Sequence, residues 1–180
     1  LFISVVTTFF TIIFAIPSAY YIARSKKKDL WLFLIIIPFW TNFLIRIYAW
    51  IAILGNNGLI NNILLKLGII ENYVQFLYNQ WSVITVLTYV SLPFAILPLY
   101  STIEKFDFSL LEAARDLGAS KAQSIYKVLL PNIKSGITTA ILFTFIPTFG
   151  NYAVPQIIGG KDSVMVGTII ARELTVMRNW

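Results

Sequence analysis

Residues 1–23 read LFISVVTTFFTIIFAIPSAYYIA and contain no charged side chain. A helix needs about 20 consecutive, mostly apolar residues to cross a membrane. Three further runs meet this condition: residues 81–103 and 135–158 carry no charge, and residues 30–54 carry only Arg46. The composition agrees, since 12% of the residues are charged, against about 25% in soluble domains. The sequence therefore predicts an all-α, polytopic transmembrane helix bundle with these four runs as spans.

The basic residues are concentrated in two of the loops between the predicted spans. Nine of the 14 Lys and Arg residues lie in residues 24–29 and 104–134, whereas residues 55–80 hold only Lys66. Loops rich in Lys and Arg stay in the cytoplasm, and four alternating spans place these two loops on the same side. Membrane orientation thus accounts for the net charge of +6, and no nucleic-acid partner is expected.

Residue types that commonly carry chemistry are missing. The chain has no Cys and no His, which excludes disulfides and removes the commonest zinc ligands and the commonest general base. No GxxxxGK[ST] phosphate loop occurs, because Gly159-Gly160-Lys161-Asp162 lacks its spacing. We therefore expect no catalytic residue, no metal and no cofactor, and any ATP hydrolysis would belong to a partner.

The loop at residues 104–134 has the most informative pattern. It contains SLLEAARDLGASKAQSIYKVLLP, residues 109–131. Ser109 with Glu112 predicts a capping box that opens a helix at residue 110, and Gly118 is expected to end that helix in a left-handed conformation. Ser120 with Gln123 predicts a second capping box, for a helix that ends at Pro131. A DNA-binding helix-turn-helix is disfavoured because predicted spans flank the unit on both sides.

The spacing within this loop resembles the EAA loop of bacterial ABC-importer permeases. That loop reads Glu-Ala-Ala, three residues, Gly, nine residues, Ile, one residue, Leu-Pro, and the chain differs only in having Val for Ile. The resemblance implies that the first helix docks into a cleft on a separate ATPase subunit. The matching residues, expected to couple to that ATPase, are Glu112, Ala113, Ala114, Gly118, Val128, Leu130 and Pro131.

Residues 38–48, 97–105 and 111–120 resemble the B-type permease subunit of spermidine/putrescine importers. The resemblance implies a multi-pass protein of the bacterial plasma membrane, embedded in lipid, that carries polyamines. It also implies a second permease subunit, two ATP-binding subunits and an extracytoplasmic solute-binding protein. Such a subunit has six spans. Since the chain begins at Leu1 inside an apolar run and ends at Trp180, we interpret it as a fragment that lacks the first and last spans.

The predicted spans contain no carboxylate that could bind a polyamine. All eight acidic residues lie outside them, so recognition would rest on the binding protein or on cation–π contacts with aromatic rings. Arg46, the only charge in a span, is expected to reach outward or to bond to carbonyls of a broken helix. The candidate substrate-path residues are Trp40, Asn42, Tyr48, Tyr89, Asn151 and Tyr152.

Three other functions are alternatives to a polyamine permease. A permease of the same class for another solute, such as an iron complex or thiamine, would have a similar EAA loop. A secondary transporter or channel would need an ion site within the spans, where no acidic residue occurs. An integral membrane enzyme is disfavoured because His and Cys are missing.

Overall fold

The computed structural model describes residues 1–161 and 163–177, and within them we find helices and turns but no strand. Helix α1 is the first of three long helices, and α5 and α9 are the others. Shorter helices connect them at both ends of the bundle. The α-helices are α1 (Phe2–Arg24), α2 (Lys28–Ile36), α3 (Phe43–Leu54), α4 (Leu59–Lys66), α5 (Gln80–Glu104), α6 (Ser109–Asp116), α7 (Lys121–Ser124), α8 (Leu130–Asn132), α9 (Lys134–Phe149), α10 (Ala153–Ile158) and α11 (Val166–Arg172).

Small side chains allow the three long helices to pack closely, each against the other two. Thr7, Thr11, Ala15 and Ala19 recur every four residues along α1, and all are fully buried. A four-residue spacing places side chains on one face of a helix, and small residues on that face let two backbones approach. Helix α9 follows the same rule with Gly136, Ala140, Thr144 and Thr148, which are all buried.

Several buried hydroxyl groups are satisfied within their own helices, whereas those of Ser4, Thr7 and Thr88 make no hydrogen bond to the described residues. Thr8 and Thr11 each donate a hydrogen bond of 2.8 Å to the carbonyl four residues earlier, and Thr144 donates one of 2.9 Å to Ala140. Between helices, the hydroxyls of Ser91 and Thr148 lie 3.3 Å apart. Such pairing matters because an unpartnered polar group is costly in an apolar environment.

Two side-chain contacts place both basic loops at the same end of the bundle. Lys28 in the first loop forms an ion pair with Glu104 at the end of α5, and Arg24 lies over the ring of Phe108. At the opposite end, the amide of Tyr78 donates a 2.9 Å hydrogen bond to the carbonyl of Ile158. The geometry is thus compatible with the orientation predicted from the charges, which remains a prediction.

Residues 30–54, predicted as one span, form two helices rather than one continuous helix. Helix α2 gives way to a 3-10 turn at Ile37–Trp40, and α3 begins at Phe43 after an extended Thr41. Pro38 explains the break, since proline lacks the N–H that would continue an α-helix. The side chain of Asn42 then caps α3 by accepting the amide of Leu44 at 2.8 Å.

The run at residues 135–158 is also divided. Helix α9 ends at Phe149, and the short helix α10 follows after residues 150–152. Asn151 caps α10, because its carboxamide oxygen accepts the amide of Val154 at 3.1 Å. By length and composition the described part of the chain has three helices that can cross a membrane, or four if the bent segment from Lys121 to Phe149 counts as one.

Helix α4, in the loop at residues 55–80, ends in a left-handed glycine turn. Gly68 has φ +67°. Its amide and that of Ile69 bond to the carbonyls of Leu65 and Leu64, which is the Schellman arrangement. On the inner face of α4, the side chain of Asn61 is fully buried and exchanges two hydrogen bonds, of 2.8 and 3.0 Å, with the backbone of Val74.

Candidate coupling surface

Helix α6 carries the Glu-Ala-Ala motif, and Asp107 caps its start. The amide of Ser109 donates to Oδ1 of Asp107 at 3.0 Å, and Phe108 already has helical backbone angles. The predicted capping box of Ser109 and Glu112 is therefore wrong: α6 begins at Ser109 itself, and the carboxylate of Asp107, two residues before it, accepts its first amide. The Ser109 hydroxyl and amide bonds hold the pKa of Asp107 below its usual value.

Gly118 ends α6 as the sequence predicts. It has φ +90°, and its amide bonds to the carbonyl of Arg115 while the amide of Ala119 bonds to that of Ala114. This is again the Schellman arrangement, in which a left-handed glycine turns the chain sharply. The predicted capping box of Ser120 and Gln123 is confirmed, because each side chain accepts the amide of the other residue, at 3.2 and 2.9 Å.

The second helix of the loop extends past Pro131, where the sequence analysis ended it. Helix α7 passes into a π-turn at Ile125–Leu129, in which the amide of Leu130 reaches the carbonyl of Ile125. Helix α8 follows, and the chain then bends by 71° into α9. Pro131 accounts for the wide turn, because its ring clashes with the carbonyl four residues before it and supplies no N–H.

Four apolar side chains fix the loop to the bundle. Leu111 of α6 is 2% exposed, and Leu129 is 1% exposed. Both lie in the hydrophobic cluster that includes Ile22 of α1 and Ile103 of α5, and Val128 and Leu130 pack against the same cluster. The predicted coupling residues therefore divide into two groups, and Val128 and Leu130 belong to the group that anchors the loop.

The other group faces away from the bundle. Glu112, Ala113, Gly118 and Pro131 are exposed, and Ala114 is half-buried. The same surface presents Leu117, which is 90% exposed, and Tyr126, which is 72% exposed. Sequence reasoning did not single out these two residues or the buried Leu111, because helical spacing alone does not tell which apolar side of a short helix faces the bundle.

The six candidate substrate-path residues have different surroundings in the described part of the chain, and their role remains a prediction. Asn42 and Asn151 are engaged as helix caps. Tyr89 packs edge-on against Trp50, with ring centroids 5.5 Å apart. Trp40 packs against Phe33 and is 80% exposed; Tyr48 and Tyr152 are also exposed. No aromatic contact among the described residues joins two members of the set.

Arg46 lies against aromatic rings, and two of its guanidinium nitrogens make no hydrogen bond to the described residues. Its guanidinium carbon is 4.3 Å from the ring centroid of Phe39 and 5.7 Å from that of Phe43. Nε and Nη1 are buried without a hydrogen-bond partner, so the expected bonds to carbonyls are not made by these two atoms. Cation–π contacts are the stabilising interactions of this charge.

Comparison with known proteins identifies the family of the chain. A family model described as "Binding-protein-dependent transport system inner membrane component" matches residues 2–179. The chain belongs to this family. Members are inner membrane components, and the apolar helices of this chain, three of which are long enough to cross a membrane, agree with a multi-pass membrane protein of bacteria.

Curated relatives within the family are similar over almost the whole chain. The chain is 41% identical over 177 residues to the "Spermidine/putrescine transport system permease protein PotB" of Haemophilus influenzae, covering 97% of this chain and 62% of the relative. The protein of the same name in Escherichia coli is 38% identical over 98% of this chain and 65% of the relative. The "Inner membrane ABC transporter permease protein YdcU" of Escherichia coli is 34% identical over 87% of this chain and 54% of the relative. The chain thus spans less than two thirds of the length of these relatives.

Proposed function

We propose that the protein is the permease subunit of an ATP-driven importer for spermidine and putrescine in the bacterial plasma membrane. In this proposal the bundle of α1, α5 and α9 belongs to the transport domain, and the loop at residues 104–134 couples it to a separate ATPase. The names of the relatives support the solute, and the family supports the membrane component.

The observation that carries the coupling role is the outward surface of α6. This helix has eight residues, too few to be stable alone in water, and Leu111 holds only its inner face. Its outer face combines the small side chains of Ala113 and Ala114 with the almost fully exposed Leu117. Exposed apolar surface of this kind indicates a protein partner, and small side chains permit close approach of another backbone.

Within this proposal, Glu112, Ala113, Ala114 and Gly118 meet the ATPase. Val128 and Leu130 anchor the loop to the bundle, and the exposed Pro131 widens the helical turn before α9. Glu112 is exposed at the edge of that surface, where it can pair with a basic group of the partner. ATP hydrolysis is carried out by two ATP-binding subunits. A second permease subunit and an extracytoplasmic solute-binding protein complete the importer, and lipid surrounds the bundle.

We further propose that the solute path uses aromatic faces, with Trp40, Tyr48, Tyr89 and Tyr152 as candidates beside Asn42 and Asn151. The support is the exposure of Trp40, Tyr48 and Tyr152 and the location of all eight acidic residues outside the predicted spans. The two asparagines are caps in this structure, so their part in a path would require them to leave that role.

The test is ATP-dependent uptake of labelled spermidine and putrescine by vesicles that contain the full-length permease and its partner subunits. We expect uptake that requires hydrolysable ATP and the binding protein. Thiamine and an iron complex, offered under the same conditions, serve as solute controls. Uptake of one of these in place of polyamine would overturn the solute but keep the importer class, whereas uptake independent of ATP would overturn the class.

A further inference from the structure

The start of α6 is held by side chains from the end of α1. The guanidinium carbon of Arg24 lies 5.3 Å from the ring centroid of Phe108, the residue that precedes α6. The ring of Tyr20 meets Phe108 edge-on at 6.1 Å, and Arg24 Nη1 donates a 3.1 Å hydrogen bond to the Tyr20 hydroxyl. Phe106 contacts Phe108 with ring centroids 5.5 Å apart. We call Tyr20, Arg24, Phe106 and Phe108 the aromatic clasp.

The clasp distinguishes Arg24 from other basic residues of its loop. Lys26 and Lys27 are exposed, and in the part of the chain that the structure describes their side chains make no hydrogen bond, ion pair or cation–π contact. They can supply positive charge for membrane orientation without Arg24. Arg24 instead stacks on two rings, Tyr20 and Phe108. Membrane orientation alone therefore does not explain why Arg24 lies against these two rings.

The clasp adds a second attachment point to α6. Leu111 is the one fully buried side chain of α6, so further contacts are needed to hold the orientation of this short helix. Phe108 lies three residues before Leu111, so the two residues occupy adjacent positions on one face of the helical turn. Both contact the common core, and Phe108 in addition contacts Tyr20 and Arg24 at the end of α1.

We propose that Arg24 and Phe108 are positioning residues that fix α6 to α1, so that movement of α6 by the ATPase is passed directly to α1. This inference rests on the coupling role proposed above for α6. Helix α1 packs on both α5 and α9 through its small-residue face. A displacement of α1 would therefore reach the whole bundle.

The experiment uses the assembled transporter with full-length permease carrying Arg24→Leu, Phe108→Leu or both. Arg24→Leu replaces the cation with an apolar side chain, and Phe108→Leu replaces the aromatic ring with an aliphatic side chain. Arg24→Lys is the conservative variant, and Lys27→Leu is the matched control that removes one charge from the same loop. The readouts are co-purification of the ATPase and the ratio of solute-stimulated to basal ATP hydrolysis.

We expect each clasp variant to keep the ATPase bound but to lower the stimulation ratio. A cation–π contact at an exposed site shifts an equilibrium by about two- to fivefold, so Arg24→Leu should lower the ratio by up to that factor. The double variant should lose less than the product of the two single losses, because both changes remove the contact between Arg24 and Phe108. Arg24→Lys should retain most of the ratio, and Lys27→Leu should match the wild type.

Two results would overturn the clasp. One is an Arg24→Leu variant that behaves like Lys27→Leu, and the other is a double variant whose loss equals the product of the single losses. If Phe108→Leu fails to fold, the comparison of Arg24→Leu with Arg24→Lys and Lys27→Leu still decides. Ala114→Trp serves as the reference for the proposed function: normal stimulation there removes the coupling role, whereas loss there with normal clasp variants removes the clasp alone.

Discussion

Two glycines of this chain allow the coupling role to be tested with one substitution at two places. Gly118 and Gly68 both have positive φ, +90° and +67°, and a Cβ added at either would meet no atom within 4 Å. Both close a helix with the same Schellman pair of hydrogen bonds. Valine at either position therefore causes backbone strain without a clash, and the two sites differ mainly in location.

The magnitude of the strain follows from the backbone conformation. A left-handed conformation costs a residue with a Cβ about 1–2 kcal/mol, which changes the population of the closed helix end by a factor of about 5–30. At Gly118 this opens the end of α6 beside Ala113 and Ala114. At Gly68 it opens the end of α4, on the opposite side of the bundle from the basic loops.

The assay is co-purification of the ATPase together with solute-stimulated hydrolysis in the full complex. We expect Gly118→Val to lower both, and Gly68→Val to leave both near the wild-type level. Gly118→Asn should recover part of the loss, because asparagine tolerates the left-handed region better than other residues with a Cβ. Equal effects of valine at the two glycines would refute the reasoning, as would Gly118→Asn being as harmful as Gly118→Val.

Three further predictions concern orientation, packing and the cap of α6. Single cysteines at Asn57 and Lys161 should react with an impermeant maleimide in intact cells, and cysteines at Lys27 and Ser120 should not; strong labelling at Ser120 would contradict the proposed orientation. Gly136→Ala should destabilise the bundle by about 1–3 kcal/mol, because its Cβ would lie 2.5 Å from Thr102 Oγ1 and 2.8 Å from Thr102 Cβ. Thermal unfolding in detergent measures this loss, with Ser135→Ala at an exposed neighbouring position as the control. Equal stability of the two variants would exclude tight packing of Gly136 against Thr102. The pKa of Asp107 is lowered by its bonds to Ser109, so its cap is fully present above the usual pKa of about 3.9 and is lost only as the pH falls through the lower folded value. The Ser109 amide should therefore be protected from hydrogen exchange between pH 5 and 8, equally in Asp107→Asn and less in Asp107→Ala. Protection that disappears between pH 8 and 5 would contradict this assignment.

The parts of the fold that the sequence predicted correctly depend on local chemistry. Gly118 could be assigned as a helix end because few residues other than glycine adopt its φ at low cost. The capping box at Ser120 and Gln123 is likewise settled within four residues. The box at Ser109 was wrong because two acceptors competed for the same turn, and the carboxylate of Asp107 prevailed.

The remaining features depend on partners distant in sequence. The four-residue spacing of Thr7, Thr11, Ala15 and Ala19 is visible in the sequence, but its meaning requires knowledge of which helix lies against it. The clasp joins Arg24 to Phe108, which are 84 positions apart, and no local pattern connects them. The same holds for the aromatic residues proposed for the solute path: Trp40 and Tyr152 are largely exposed, so their surroundings depend on groups outside the described chain.

The most direct test of the central claim is a cross-link between α6 and the ATPase. The chain has no cysteine, so Leu117→Cys and the control Leu67→Cys each introduce a single thiol at an exposed leucine, in a full-length permease with any other cysteine replaced. With a short thiol-reactive photo-cross-linker on the assembled transporter, the account predicts an adduct with the ATPase from Leu117→Cys and none from Leu67→Cys. A labelled Leu117→Cys variant that forms no ATPase adduct in an active complex would contradict it.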